Sequence, residues 1–433
     1  MTHEHSEHKS RKITHSLKSW VVWGLGCLFY FYEFLLQVSP NVMSTELMHD
    51  FSITSHALGV LVGIYFYSYA IMQIPGGVLM DHFGPRRLLT IATTICALST
   101  MAFGMTHHLG MACCARLMIG FGSAFAAVGA MKLASSWFAA DRFAFLTGLM
   151  VTIGTLGAIF GQTPLALLID HCGWRQSMMI LGCIGLVIAG LIYAVATDAP
   201  HEKIDHDTSA STTKESLWSS VLEVIQNKQL WLVACYGGLM YMATPVLCGL
   251  WGVPFFMFKM HLSKTSAANY SIIMLLGWAI ASPLWGIFSN KIGRRKPALY
   301  IAAIGSLITS LLFLYVPITN TTIMQMLLLA FGILSAGFLP AFALAKELCN
   351  TRYVATGLSF MNMINMIGAA FAEPAIGYIL DLCWQGQYKH HVRFYPMSAY
   401  HIALSFLPAG MLIALMILPY VRETYCKSQF VRA

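Results

Sequence analysis

The chain has 433 residues, of which 57% are apolar and only 10% charged, and its mean hydropathy is +0.67. Soluble globular domains carry about 25% charged residues, so the composition excludes a water-soluble protein and sets most side chains against lipid or other apolar helices. The formal net charge of +8 is read here as a topology signal, and nothing supports nucleic-acid binding.

Twelve apolar runs reach or approach the length of about 20 residues that a bilayer-spanning helix needs. They lie near 20–43, 56–80, 86–106, 110–136, 143–169, 176–197, 230–256, 265–289, 297–317, 322–345, 355–380 and 398–421. No run alternates as an outer-membrane strand does. The expected fold class is therefore an all-α polytopic membrane protein. The first run is too long for a signal-peptide core and reads as a retained helix.

Five regions follow: a basic tail (1–19), a six-helix half (20–197), a polar linker (198–229), a second six-helix half (230–421) and a short tail (422–433). In the linker, Leu217, Trp218, Val221, Leu222 and Ile225 recur at helical spacing beside Lys214, Glu215 and Glu223. That pattern predicts an amphipathic helix lying on the inner membrane surface. Basic residues gather in the first tail, in the loops after even-numbered spans and at the C-terminus. The opposite side holds Arg175, Lys259, Lys264, Lys389 and Arg393. This bias predicts that both termini are cytoplasmic, in a multi-pass protein of a bacterial inner membrane.

Two stretches repeat at an offset of 209: Gly77-Val-Leu-Met-Asp81-His-Phe-Gly84-Pro-Arg86-Arg87 and Gly286-Ile-Phe-Ser-Asn290-Lys-Ile-Gly293-Arg294-Arg295-Lys296. Each joins two apolar runs, as a tight cytoplasmic loop would. Gly77 predicts a close approach of two helix backbones. Asp81 suits the positive end of a helix. Thr147-Gly148-Leu149 returns as Thr356-Gly357-Leu358, Pro164 as Pro374, and Asp170-His-Cys172 as Asp381-Leu-Cys383, at offsets of 209 to 211. A duplicated helical membrane protein points to a carrier.

Two six-helix halves joined by these loops resemble the major facilitator superfamily over essentially the whole chain. Arg116-Leu-Met-Ile-Gly120-Phe-Gly122 resembles its fourth-span motif, and Gln73-Ile-Pro75-Gly-Gly77 the end of its second span. Trp137-Phe138 before Arg142 resembles a loop of solute-uptake members. Phe31-Tyr-Glu33-Phe-Leu-Leu-Gln37-Val-Ser-Pro40 resembles nutrient transporters of intracellular bacteria. The resemblance implies a gate formed by the loop residues Gly77, Asp81, Gly84, Arg86 and Arg87 against the start of span eleven, Val354–Gly357. The second loop offers Gly286, Asn290, Gly293 and Arg294. Asn290 replaces the acid of the first loop, so the expected latch is one-sided.

Charges within spans are costly and point to function. Glu33 lies about 20 Å along span one at 1.5 Å per residue, a depth that matches Arg116 on span four. In the superfamily these two spans are neighbours. An ion pair between them is expected, either opened by a proton or purely structural. Glu373 is a further candidate for proton coupling or an interfacial acid. Polar stripes supply candidate cavity residues: Tyr30 and Gln37 beside Glu33; Tyr65, Tyr69 and Gln73; Tyr241, Thr244 and Trp251; Asn362 and Asn365. Lys132 reads as a snorkelling cation or an anion site.

Eleven cysteines without a CxxC pair and histidines without ligand spacing suggest no metal site. No phosphate-binding Gly-x4-Gly-Lys-[Ser/Thr] loop occurs, and no cofactor or enzyme activity is expected. The expected function is a monomeric secondary transporter that moves a small polar metabolite with protons by alternating access. An amino acid, short peptide or organic acid suits Arg116, Lys132 and the tyrosines. A proton-coupled exporter of a metabolite, siderophore or drug is one alternative; a non-transporting membrane sensor on the same fold is another.

Overall fold

The computed structural model describes residues 17–138, 142–197, 222–350, 354–389, 392–427 and 429. The body of the expected linker helix lies outside them.

Helices follow the apolar runs. In the first half they are α1 (Leu17–Val38), a short α2 (Ser44–Asp50), α3 (Ser55–Phe83), α4 (Pro85–Met105), α5 (Leu109–Trp137), α6 (Phe143–Phe160) and α7 (Thr163–Val195). The second half has α8 (Lys228–Tyr241), α9 (Gly252–Lys259), α10 (Lys264–Ile292), α11 (Lys296–Tyr315), α12 (Thr321–Ser335), α13 (Pro340–Glu347), α14 (Val354–Leu382), α15 (Met397–Leu404) and α16 (Phe406–Ile417). Among the described residues, eleven helical stretches are long and apolar enough to cross a membrane. One of these, Phe145–Val195, has 51 residues, enough for two crossings at 1.5 Å per residue. Gly173 breaks it at φ 81°, a backbone region open to glycine.

The helix starts carry their own signals. Thr54, Asn227, Ser263 and Asn320 each accept hydrogen bonds from first-turn amides, satisfying donors the helix cannot. Pro85, Pro164, Pro297 and Pro340 stand in first turns, where no amide proton is needed.

Several spans expected to be continuous are broken. Span five stops at Phe160 and resumes at Thr163, across Gly161-Gln162 and just before Pro164. Span seven unwinds between α8 and α9 through a π turn at Val246–Leu250. Span ten breaks at Ala336–Phe338 before Pro340. Such breaks free backbone carbonyls, which need partners inside a membrane. An unanticipated two-stranded hairpin, Tyr388–Lys389 against Val392–Arg393, joins α14 to α15.

We call the face where α1 begins and α16 ends proximal, and the other distal. The halves meet most extensively along α3 and α14. A Cβ on Gly59 would lie 2.5 Å from the carbonyl oxygen of Glu373, and one on Gly63 3.0 Å from that of Ala370. These two backbones can touch because nothing projects between them.

Candidate functional site

Four helices bring their rare polar side chains to the middle of the bundle. Glu33 (α1), Tyr65 (α3), Arg116 (α5) and Glu373 (α14) are all buried, none more than 2% exposed. The Tyr65 hydroxyl donates to Glu33 Oε1 at 2.5 Å. The Arg116 guanidinium lies 5.0 Å over the Tyr65 ring, and Nη1 donates to the Leu36 carbonyl at 3.2 Å. Among the described residues its Nε and Nη2 have no hydrogen-bond partner, nor do Glu33 Oε2 and both carboxylate oxygens of Glu373.

The expected Glu33–Arg116 ion pair is not formed. Tyr65 from a third helix stands between the two groups, bonded to one and stacked under the other. The carboxylate within electrostatic reach of Arg116 is that of Glu373, from the opposite half. Direction around a helix axis depends on how helices are rotated in the bundle, and residue spacing alone does not set it.

The candidate cavity residues divide. Gln37, Tyr241 and Thr244 line a cavity of about 50 Å³ between the halves, with Phe34, Thr155 and Trp278. Tyr30 and Tyr69 are buried nearby on α1 and α3. Gln73 and Asn362 bond to each other across the halves at 3.0 Å. Asn365 turns toward α8, its Oδ1 2.9 Å from where a Cβ on Gly237 would sit. Trp251 lines a larger distal cavity of about 800 Å³, and its indole donates to the Glu373 carbonyl at 3.3 Å. Lys132 lies half-buried in the proximal part of α5.

The distal side is latched by groups that sequence reasoning did not assign to a gate. Asn41 Nδ2 donates to Gln162 Oε1 at 3.0 Å, Ser271 Oγ at 3.3 Å and the Leu247 carbonyl at 3.4 Å. The Val253 amide donates to Asn41 Oδ1 at 3.0 Å, and Gln162 Nε2 to the Cys248 carbonyl at 2.7 Å. The carbonyls freed by the π turn of the second half are thus satisfied by two amides from the first. Around the rim, Lys264 pairs with Glu46 and Asp170, each at 2.7 Å. Asp381 accepts from the amides of Ser55 and His56 at the start of α3, a favourable place for a carboxylate. Asp170 and Asp381 are repeat partners in the sequence. Each reaches from one half to the first turn of a helix in the other, so the repeat itself was the available signal.

The proximal loops correct one expectation. Gly84 and Gly293 adopt φ 77° and 70°, so these glycines end α3 and α10 as the motif requires. Among the described residues, however, a Cβ on Gly77 or Gly286 would meet nothing within 4 Å. The close approach expected at Gly77 occurs instead at Gly59 and Gly63, where the helices cross. The side chain of Asp81 and residues 351–353 lie outside the described residues. Gly357 packs against Cys349 and Leu230 of its own half. Arg86 donates to the Tyr193 carbonyl at 2.7 Å, Arg87 is exposed, and Arg294 lies over the Tyr425 ring. In the second loop Arg295 collects the contacts: it reaches Asn290 Oδ1 and Ser289 Oγ at 2.7 Å and forms a buried pair with Glu347 at 2.7 Å. Glu347 also accepts from Thr424. Neither Arg295 nor Glu347 was singled out from the sequence as a site residue.

The model of the Major Facilitator Superfamily matches residues 22–373 and 252–423. The chain belongs to the Major Facilitator Superfamily. It is 22% identical over 385 residues to a probable sulfoacetate transporter of Cupriavidus necator, covering 83% of this chain and 87% of that one. It is 24% identical over 380 residues to the lysosomal dipeptide transporter MFSD1 of Mus musculus, covering 83% and 80%. A bacterial homologue of the human lysosomal transporter Spinster, solved inward-facing and unoccupied, superposes with TM-score 0.73 at 16% identity over 94% and 96% of the two chains. This superfamily member is thus a multi-pass transporter of small molecules.

Proposed function

We propose that this transporter takes up a small carboxylate-bearing metabolite, such as an organic acid, an amino acid or a short peptide, together with protons. It would do so across a bacterial inner membrane, with the distal face periplasmic and both termini cytoplasmic. The observation that carries the reading is Arg116, a buried guanidinium with two nitrogens unbonded and no carboxylate within 4.0 Å among the described residues. A buried cation of this kind gains most from an anionic partner, and a guanidinium matches a carboxylate in two parallel hydrogen bonds. Between the halves, Gln37, Thr155, Tyr241 and Thr244 bring amide and hydroxyl groups to a small, otherwise largely apolar cavity, which gives a polar substrate groups to bond. Relatives named for sulfoacetate and dipeptides carry the same ligand chemistry. Glu33, held by Tyr65, supplies a group that can take up a proton within the membrane.

Counterflow in proteoliposomes tests this. Labelled dipeptides and short hydroxy acids should exchange, whereas their C-terminal or carboxyl amides, which lack the carboxylate, should not. An alkaline interior should drive accumulation in right-side-out vesicles. Equal exchange of acids and amides would remove the role given to Arg116. Accumulation only in inside-out vesicles would make the protein an exporter.

A further inference from the structure

We infer that the distal cavity is a second ligand site, shaped for a small aromatic carboxylate, and that a molecule held there keeps the distal seam closed. The inference goes beyond the transport reading above and does not depend on which substrate is carried.

The cavity has a volume of about 800 Å³, within the range of roughly 300–1,000 Å³ that small-molecule sites occupy. Among the described residues it shares no lining side chain with the smaller cavity of Gln37 and Tyr241. One wall is aromatic and comes from the second half. Phe258 of α9 lies 5.3 Å from Phe394 and 6.1 Å from Tyr400, and Tyr395 lies 6.5 Å from Tyr400, ring centre to ring centre. Two of these residues are held in place by hydrogen bonds. The Phe394 amide donates to the Gln387 carbonyl at 2.9 Å, and the Tyr395 hydroxyl to Asp381 Oδ1 at 2.7 Å. Rings set in advance offer a planar ligand their faces and edges, with less ordering cost on binding. The opposite wall comes from the first half, where Ser44, Thr45 and Ser55 bring hydroxyls from α2 and the start of α3.

Charge sets the sign of the ligand. Among the described residues, Arg393 and His261 line the cavity and no acidic side chain does. Arg393 Nη1 reaches Asp381 Oδ1 at 3.2 Å, and its guanidinium lies 4.4 Å from the centre of the Trp384 ring. Asp381 does not depend on that one contact, since it also accepts from the Ser55 and His56 amides and from Tyr395. A guanidinium has five N–H donors, so Arg393 can take a ligand carboxylate as well. Rings on one side, hydroxyls on the other and a cation between them select a planar apolar body that carries one carboxylate.

The two walls belong to opposite halves. Parting of the halves at the distal seam pulls them apart, so the site is complete in the closed state alone. A ligand that binds one state better draws molecules into that state, and closure favours the ligand by the same factor. An occupied distal cavity therefore holds the carrier shut on this side and slows transport.

The experiment uses tritiated N-phenylanthranilate, which has two rings and a carboxylate, and its neutral amide. Binding is measured to the full chain in lipid nanodiscs, with empty nanodiscs as the blank. The acid should bind at least about fivefold more tightly than the amide, the margin of a charged over a neutral hydrogen bond. Arg393→Gln should remove that preference and leave amide binding unchanged. Phe394→Ala should weaken both compounds by at least about twofold, as loss of a ring pair does. Arg116→Gln should bind both as the parent does. In the parent, the acid should slow distal labelling of Cys248, the buried thiol of the π turn, by up to about tenfold at ten times its Kd. Acid and amide bound alike, affinities unchanged in Phe394→Ala, or loss of binding in Arg116→Gln, which would place the probe at the centre of the bundle, would each overturn the proposal. Unslowed labelling of Cys248 at saturating acid would do the same, and the parent comparisons decide the matter if a variant fails to fold.

Discussion

Asn41→Ala should open the distal side. Asn41 is fully buried and makes two well-placed hydrogen bonds at 3.0 Å, to Gln162 and from the Val253 amide, with two longer ones to Ser271 and Leu247. Each intact bond contributes about 0.5–1.5 kcal/mol net, and each buried group left without its partner costs about 1–3 kcal/mol. Those penalties fall on the closed state, because opening lets water satisfy the same groups. Taking the two short bonds alone, the two stranded groups should cost the closed state about 2–6 kcal/mol relative to the open one. At about 1.4 kcal/mol per factor of ten, the open-to-closed ratio rises at least about 30-fold and at most about 20,000-fold. The native Cys248 reports this, since it is buried behind the latch with its Sγ 3.8 Å from the Ser271 carbonyl. Its labelling by a membrane-impermeant thiol reagent added at the distal side, read by mass spectrometry of the Cys248 peptide, should accelerate by a comparable factor. An unchanged Cys248 rate in a well-folded Asn41→Ala protein would show that these bonds do not hold the seam.

Other outcomes follow from the same geometry. Glu33→Gln should abolish accumulation against a gradient while labelled exchange survives; undiminished accumulation would take Glu33 out of coupling. Arg116→Gln and Glu373→Gln should couple in melting temperature by about 0.5–3 kcal/mol as interacting neighbours do, whereas Arg116→Gln with Glu33→Gln should couple less, because Tyr65 separates them. Strictly additive losses in the first cycle would show that Arg116 and Glu373 do not interact across the space between them. Gly59→Ala should impair folding or distal closure, since its methyl would lie 2.5 Å from the Glu373 carbonyl oxygen, whereas Gly77→Ala should stay within about 0.5 kcal/mol as an unhindered substitution; the reverse order would put a tight helix contact at the loop and none at Gly59. Glu347→Ala should lower stability by about 3–5 kcal/mol by stranding the buried Arg295, and a melting temperature equal to the parent's would show that the pair contributes nothing net.

The sequence by itself determined the class, the spans and the duplication. Membrane helices must satisfy their own backbone groups and present about 20 apolar residues to lipid, so hydropathy, the Thr, Asn and Ser caps and the first-turn prolines are local signals that survive without the fold. Gly84 and Gly293 were legible for the same reason, because a positive φ at a helix end is a property of one residue. Position along a helix is likewise a local property, since rise is fixed at about 1.5 Å per residue. Rotation about the helix axis is not fixed in that way, and packing against several neighbours sets it. That is why only the tertiary structure showed Tyr65 between Glu33 and Arg116, Glu373 as a carboxylate within electrostatic reach of Arg116, and a close backbone approach at Gly59 instead of Gly77. The distal latch depends on tertiary structure still more. Asn41 and Gln162 gain partners only because a π turn 206 residues beyond Asn41 frees the Leu247 carbonyl, and a broken helix in one half becomes a hydrogen-bond acceptor only once the other half is packed against it.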